Sequence, residues 1–338
     1  MRVSPPILAA LALLAAGCGN AAEASSPSTS APPQLSSASA ALSPAPPPLP
    51  AAPPVRVAFA GDLAMAVGVG LQLEALAQGK PTSPGVTLGY PFTAVRDRIS
   101  SADLAIGNLE CVVSPKGTAQ SPFHTFRAPP SAIATILAAG FDVVSIANNH
   151  AMDFGAAGLA DMRARLEREG LPHIGRGTRS NTVEEPWIRE IRGLRIGLFG
   201  LYDVADATAF AMVRKARPSV DVLLVYNHWG TEDDPTPALY QRRLGHGLID
   251  AGADVVVGTH AHVIQPEERY RGKLIVHGLG NFVFSGMSYD EQHRTGAYLE
   301  LDLDRSGLVE RRYYRVRIGD DGAPRWLDTE PWTPPSLP

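Results

Sequence analysis

Only two cysteines, Cys18 and Cys111, occur in 338 residues, too few for a disulfide framework to account for stability. Basic charge is not in excess either: Lys plus Arg number 30 against 34 Asp plus Glu, a formal net charge of -4, and no nucleic-acid surface is indicated. A long apolar run is missing from the start of the chain as well. The segment from Ile7 to Ala16, behind Arg2, is too short to span a bilayer as a helix. No internal repeat is present.

That short segment ends in small residues, Ala15-Ala16-Gly17-Cys18, as a processed signal peptide does. Leu-Leu-Ala-Ala-Gly-Cys resembles a bacterial lipoprotein signal, so Cys18 is expected to become the lipid-modified first residue of the mature chain; an ordinary secretory signal with an incidental cysteine is the other reading. Cys111 would then lack a disulfide partner and be a buried free thiol. Residues 19–54 are nearly all Ala, Ser and Pro, with Glu23 their only charge. Such a composition cannot bury enough apolar area to offset its ordering entropy, and a linker is expected. At about 3.1 Å per residue it would reach on the order of 100 Å from the anchor. The expected organisation is therefore a signal segment over 1–18, a linker over 19–54 and one large α/β domain over 55–338.

Within that domain one pattern recurs. Apolar runs of strand length stop abruptly at Asp, Glu, Asn or His: Val55–Asp62, Ala102–Glu110, Phe141 through Asn148-Asn149-His150 to Asp153, Asp221 through His228 to Glu232, Ala253 through His260 and His262, and Lys273–Asn281. In open α/β sheets, the loops leaving strand C-terminal ends line the ligand crevice. Helical spacing separates several of these runs, over Val67–Gln78, Phe92–Ser100, Ser131–Ala139, Ala156–Glu169 and Pro235–Ala251. The third and fourth are closed by Gly140 and Gly170, and Leu159, Met162 and Leu166 share one face of the fourth. Leu194–Gly200 is another buried-strand run. Alternation of strand and helix predicts mostly parallel pairing. From Gly296 the texture changes: Ala297–Asp302 and Val309–Ile318, around Asp304-Arg305-Ser306-Gly307, predict a C-terminal antiparallel hairpin and hence mixed sheets.

His260 and His262 are one residue apart, so on extended backbone both side chains would point the same way. With Asp62, Glu110, Asn149 and His228 they make a set of oxygen and nitrogen donors without thiolate, suited to a divalent cation of the Mn, Fe or Zn class. Any one of these histidines alone reads as a hydrogen-bonded loop residue. Their joint placement at strand ends points to a metal or ligand site.

Gly61-Asp62, Gly107-Asn108-Leu109-Glu110, Phe126-Arg127-Ala128-Pro129, Ala147-Asn148-Asn149-His150 with Asp153-Phe154-Gly155, His228-Trp229-Gly230-Thr231-Glu232, Gly258-Thr259-His260-Ala261-His262 and Leu279-Gly280-Asn281-Phe282 follow one another along the chain. Together they resemble the CapA family of poly-gamma-glutamate capsule biosynthesis proteins, related to calcineurin-like metallophosphoesterases. The resemblance implies a layered α/β/β/α sandwich with a metal centre at the strand ends. Asp62, Glu110, Asn149, His228, His260 and His262 would be the ligands. His150, with Asp153, would serve as general acid, and the cation would supply a hydroxide nucleophile. The phosphoesterases generally carry Asp-x-His where this chain has Asp62-Leu63-Ala64, so one cation or two are expected.

Arg127 would hold an anionic substrate through its planar fork, or form a structural ion pair; Glu232 would position His228 or bind just outside it; Asn281 would line the pocket. His246 and His293 are expected to face solvent. The function implied is that of a lipid-anchored envelope protein in the synthesis, export or anchoring of an anionic polymer such as poly-gamma-glutamate, alongside a membrane synthase or export complex. A metal-dependent hydrolase of an envelope phosphoester or amide and a non-catalytic polymer-binding scaffold are the two alternatives.

Overall fold

The structure, a computed structural model, describes residues 53–87, 89–178, 184–286 and 290–337. The signal segment, Cys18 and the linker through position 52 lie outside the described residues. In chain order the first half comprises β1 (Val55–Leu63), α1 (Val67–Ala77), α2 (Arg96–Ser100), β2 (Leu104–Leu109), β3 (Val112–Val113), β4 (Arg127–Ala128), α3 (Ser131–Ala139), β5 (Val143–Ser145), α4 (Gly155–Glu169) and β6 (His173–Ile174). There follow β7 (Trp187–Ile191), β8 (Leu194–Tyr202), α5 (Asp206–Ala216), β9 (Val222–Trp229), α6 (Leu239–Ala251), β10 (Val255–His260), β11 (Ile264–Tyr270) and β12 (Lys273–Leu279). The chain ends in β13 (Asn281–Val283), β14 (Thr295–Asp304), β15 (Gly307–Ile318) and β16 (Pro324–Trp326).

Two mixed sheets result. The first has the order β16-β15-β14-β1-β2-β5-β6, with β13 beside β1; β1, β2, β5 and β6 run parallel, and β14 to β16 form the antiparallel wing. The second has the order β11-β12-β10-β9-β8-β7, parallel at its centre and antiparallel at both edges. Period-two alternation along the strands assigns every side chain to a layer. Val55, Val57 and Phe59 of β1 meet Ile196 and Leu198 of β8 and Val222 and Leu224 of β9 between the sheets. Ala58 and Ala60 face α1, α3 and α4 on one outer side. Leu223 and Val225 face α5 and α6 on the other. Three apolar interfaces between four layers of secondary structure make the α/β/β/α sandwich expected from the sequence.

The local expectations held where periodicity was strong. Helix α4 buries Leu159, Met162 and Leu166, and Gly170 closes it at φ 75°. The hairpin pairs Asp304 with Gly307, as the turn residues suggested. Other boundaries moved. Helix α6 starts at Leu239 and not Pro235, because Pro235 and Pro237 hold their preceding residues out of helical backbone. The segment from Phe92 is helical only from Arg96, and the strand in Phe141–Ala147 only from Val143 to Ser145. His246 and His293 do not simply face solvent: His246 stacks on Tyr270 with ring centroids 3.9 Å apart, and buried His293 bridges Asp233 and Asp290 at 2.8 Å each. Helix α5 and the antiparallel edge strands β7 and β11 have no counterpart in the sequence reading. Among the described residues no helix is long and apolar enough to cross a membrane.

Strand β11 carries a buried carboxylate, Glu268. Burial pushes its pKa up, but hydrogen bonds from Arg242 and His246 of α6 and from His277 of β12 overcome this and bring it from 4.5 down to about 2. A depressed folded value means that the stabilisation is complete above the ordinary value and is lost as pH falls towards 2. Glu268→Gln should therefore lower the unfolding free energy near neutral pH by about 3 kcal/mol. Urea titrations should show that the difference from wild type shrinks between about pH 5 and about pH 3.

Candidate metal centre

The parallel strands of both sheets deliver their C-terminal ends to one edge of the sandwich. Asp62 closes β1, Glu110 follows β2, Asn149 and His150 follow β5, His228 lies near the end of β9 and His260 ends β10. Two glycines permit the approach. A Cβ on Gly61 would run into the carbonyl oxygen of Gly280, and one on Gly258 into that of His277 and the indole nitrogen of Trp229. Asp62 consequently sits in register with both Asn108 and Asn281, and His228 with Thr259.

Six groups named from the sequence as ligands converge. One carboxylate oxygen from Glu110 with one nitrogen each from His228 and His260 forms a triad whose atoms lie within 4.8 Å of one another. Asp62, Glu110 and His262 form a second triad of the same dimension. Asn149 joins through its Oδ1, 2.7 Å from His228 Nε2. The His228 and His260 rings are 4.4 Å apart and those of His260 and His262 6.2 Å. The backbone route is not the extended one expected: φ is 93° at His260 and 58° at His262, so a left-handed turn aims the rings.

Electrostatics separates this cluster from an ordinary ion-pair network. Glu110 is fully buried, and neither of its carboxylate oxygens has a hydrogen-bond partner. Burial first, then the charges of Asp62, Glu232 and Asp153, push its pKa well above the usual range. Burial also raises Asp62, against the opposing effects of His262, Asn108, His260 and Thr259. His228 is held well below its usual value by burial and by His260, His262 and His150. His260 is brought down to about 4 by burial, His262 and His150, and its Nδ1 is a second buried atom without a partner. Neutral imidazoles around an unpartnered carboxylate are the donor set a divalent cation requires, and Glu110, common to both triads, is placed to bridge two. The residues present thus fit a cation or a pair of them. Cys111 takes no part: its thiol is pushed up to about 12, chiefly by burial, and faces the Leu63 carbonyl. Ala64 is packed with Phe284 and Ile318 against Phe126, an apolar patch where the phosphoesterase pattern would put an imidazole.

Beside the cluster, His150 Nδ1 is 2.9 Å from Asp153 Oδ2, and the ring stacks on Phe126 with centroids 4.2 Å apart. Asp153 also accepts the Phe126 backbone N–H at 2.7 Å. It therefore orients His150, the residue with which the resemblance groups it. Arg127 is spent differently from either expectation: its guanidinium donates to the carbonyls of Ser114, Lys116 and Gly117 and lies over Phe154, so it ties down a loop. Asn281 does not line a pocket. It is fully buried, with Oδ1 2.9 Å from His262 Nδ1 and Nδ2 donating to the carbonyls of His262 and His293. Glu232 is exposed on the loop after β9 and reaches the site through its charge on Glu110, while His228 is positioned by other residues.

Those other residues are Asn108 and Thr259, with Asn148 behind them. Asn108 Nδ2 donates to Asp62 Oδ1 at 2.7 Å, and Asn148 Nδ2 donates to Asn108 Oδ1 at 3.1 Å. All three stand inside the motifs quoted above, beside the expected ligands, and their adjacency was the only signal for them. A cavity of about 360 Å³ opens against the cluster between the ends of β8 and β9 and the first turns of α5 and α6, with Tyr202, Asn227, His228, Tyr240 and His260 in its lining.

The arrangement defines a class: an α/β/β/α sandwich with a candidate cation centre at its strand ends. More narrowly, the chain belongs to the bacterial capsule synthesis protein PGA_cap family, which matches residues 56–286. It is 36% identical over 162 residues to the PGA biosynthesis protein CapA of Bacillus subtilis, covering 43% of each chain. It is 30% identical over 220 residues to the capsule biosynthesis protein CapA of Bacillus anthracis, covering 58% of this chain and 54% of that one. The chain thus spans about half the length of these curated relatives. Among solved structures, a hypothetical protein from Thermus thermophilus shares the fold with a TM-score of 0.50 and 21% identity, covering 77% of this chain and 98% of that one.

Glu110→Gln tests the cation reading directly. Removing an unpartnered buried carboxyl should raise the melting temperature of cation-free protein, because that group is a cost to the empty fold. The same variant should lose the stabilisation that excess Zn²⁺ confers on wild type, about 2.7 kcal/mol at a hundredfold excess over Kd. Thermal unfolding with and without Zn²⁺ reads both.

Proposed function

We propose that this protein is a lipid-anchored cell-envelope member of the capsule family that acts on an anionic polymer such as poly-gamma-glutamate through cation-dependent hydrolysis at the strand-end site. The observation that carries this reading is the fully buried Glu110 carboxyl, without a hydrogen-bond partner and shared by two groups of potential ligands, His228 with His260 and Asp62 with His262. The relatives' names, which speak of PGA and capsule biosynthesis, support the polymer. A membrane synthase or export complex is the partner such a role requires, and the linker lets the domain work away from the anchor.

Bound at Glu110, a divalent cation would supply Lewis acidity and a nucleophile at neutral pH. The remaining work falls to side chains of this chain. Asp153 occupies His150 Nδ1, which leaves Nε2 to pass a proton to the leaving atom of the scissile amide or ester. Phe126 fixes the plane of that imidazole by stacking. The cavity lined by Tyr202, Asn227 and Tyr240 would hold the part of the substrate next to the bond broken.

His150 and the ligands should separate experimentally. His150→Ala should keep its metal while turnover falls by about a hundredfold or more, and His262→Ala should lose both. Metal content and hydrolysis of poly-gamma-glutamate and of phosphoesters, measured side by side, decide it. Wild type that holds metal and turns over neither substrate, with variants that impair polymer display in cells, would instead mark a scaffold. The anchor has its own test. Cys18→Ser should shift the protein from the membrane fraction to the soluble fraction or block its processing; a processed variant that stays on the membrane would exclude the lipid anchor.

A further inference from the structure

His228 is surrounded by neighbours that ask for opposite tautomers. Its Nε2 is 2.7 Å from Asn149 Oδ1, an acceptor, so that contact is a hydrogen bond when Nε2 carries the proton. Nδ1 is then a lone pair, and Asn108 Nδ2 at 3.2 Å can donate to it. A nitrogen that holds a proton cannot ligate a cation. Nε2 is nevertheless the nitrogen that faces Glu110, with Oε1 at 3.4 Å. For Nε2 to become a ligand the proton must sit on Nδ1, and a buried N–H there needs an acceptor.

Thr259 Oγ1, 3.1 Å from Nδ1, is that acceptor. The pairing of β10 with β9 places Thr259 directly opposite His228, and the residue is buried, so bulk water does not stand in for it. Asn108, meanwhile, keeps its bond to Asp62 Oδ1 in either tautomer.

We propose that Thr259 is the positioning residue that makes the cation-ready tautomer of His228 available: Nδ1–H donates to Thr259 Oγ1. The imidazole stays neutral throughout: one proton leaves Nε2 for the adjoining cavity, which His228 lines, and one is gained at Nδ1 as the ring exchanges tautomer. The change of tautomer frees Asn149 Oδ1 at the same time, adding an oxygen donor beside Nε2. This inference rests on the cation-centre reading above.

The test uses Thr259→Val, which keeps the shape and removes the hydroxyl, and Thr259→Ser, which keeps the hydroxyl. Zn²⁺ affinity of the full chain, measured by calorimetry in competition with a chelator, should fall by about 10- to 100-fold in Thr259→Val and stay close to wild type in Thr259→Ser. Nitrogen-15 spectra of the histidines report the tautomer independently: His228 should be Nε2–H in cation-free wild type and Nδ1–H once Zn²⁺ is bound. Equal affinity in Thr259→Val, equal loss in Thr259→Ser, or an Nε2–H imidazole in the Zn²⁺-loaded wild type each overturns the assignment. Should Thr259→Val fail to fold, the wild-type spectra decide alone. Wild type that binds no Zn²⁺ at all removes the cation centre itself, a failure distinct from that of Thr259.

Discussion

A carboxylate without a hydrogen bond, sealed from water, is costly to a fold, and Glu110 is such a group. Its neighbours do not relieve the cost. Asp62, Asp153 and Glu232 add repulsion, and His228 and His260 are kept neutral by the same burial that raises Glu110. No lysine or arginine closes on its oxygens as Arg242 closes on Glu268. The contrast within one chain is informative. Around Glu268 the partners are cationic or donate, the pKa falls, and the cluster stabilises; around Glu110 the partners are acceptors and neutral bases, which is the environment of a cation ligand.

Holding such a cluster together requires rigid support, and the sandwich provides it. Apolar packing between the sheets, with Phe59, Leu198 and Leu224 at its centre, fixes the strands whose ends carry Asp62 and His228. Tyr226 reaches across the layer to the Ala60 carbonyl at 2.5 Å and ties β9 to β1 two residues before each ligand. Close backbone approaches at Gly61 and Gly258 bring the loops after β10 and β12 over the site. Buried amides then set the rings: Asn108 and Asn148 behind Asp62 and His228, and Asn281 behind His262. Such outer partners orient ligands and set their tautomers, and losing one typically weakens metal binding by about 10- to 100-fold.

Membership of the capsule synthesis family gives this site a context without prescribing its chemistry, since one fold hosts many activities. The position where phosphoesterases carry a further imidazole is filled here by Ala64 in an apolar patch. Loss of that donor does not dissolve the second triad, because Glu110 serves both. Among the described residues, the lining of the neighbouring cavity includes Asp203 and Asp206 and no lysine or arginine.

How much could be read before folding follows from the range of the forces involved. Strands β1 and β9, helix α4 and the hairpin of β14 and β15 were legible because period and turn chemistry are local. The candidate ligands were legible as a set because each lies at or just beyond the end of an apolar run. Helix α6 was misplaced at its start by two prolines, and β11 was missed because Ile-Gln-Pro-Glu-Glu-Arg-Tyr lacks the texture of a buried strand; its glutamates are buried through partners on α6, β12 and β15. Arg127 and Asn281 were given roles toward a substrate from their chemistry, yet each is spent on an internal contact that no short window of sequence contains. The mixed α/β character and the residue types of the candidate donors were thus set by the order of residues, because apolar patterning and residue type are written locally, while the four-layer sandwich was implied by the resemblance to the CapA family. That Glu110 lies between two triads, that left-handed turns aim His260 and His262, and that Thr259 faces His228 emerged only on folding, because each depends on distances between strands far apart in the chain.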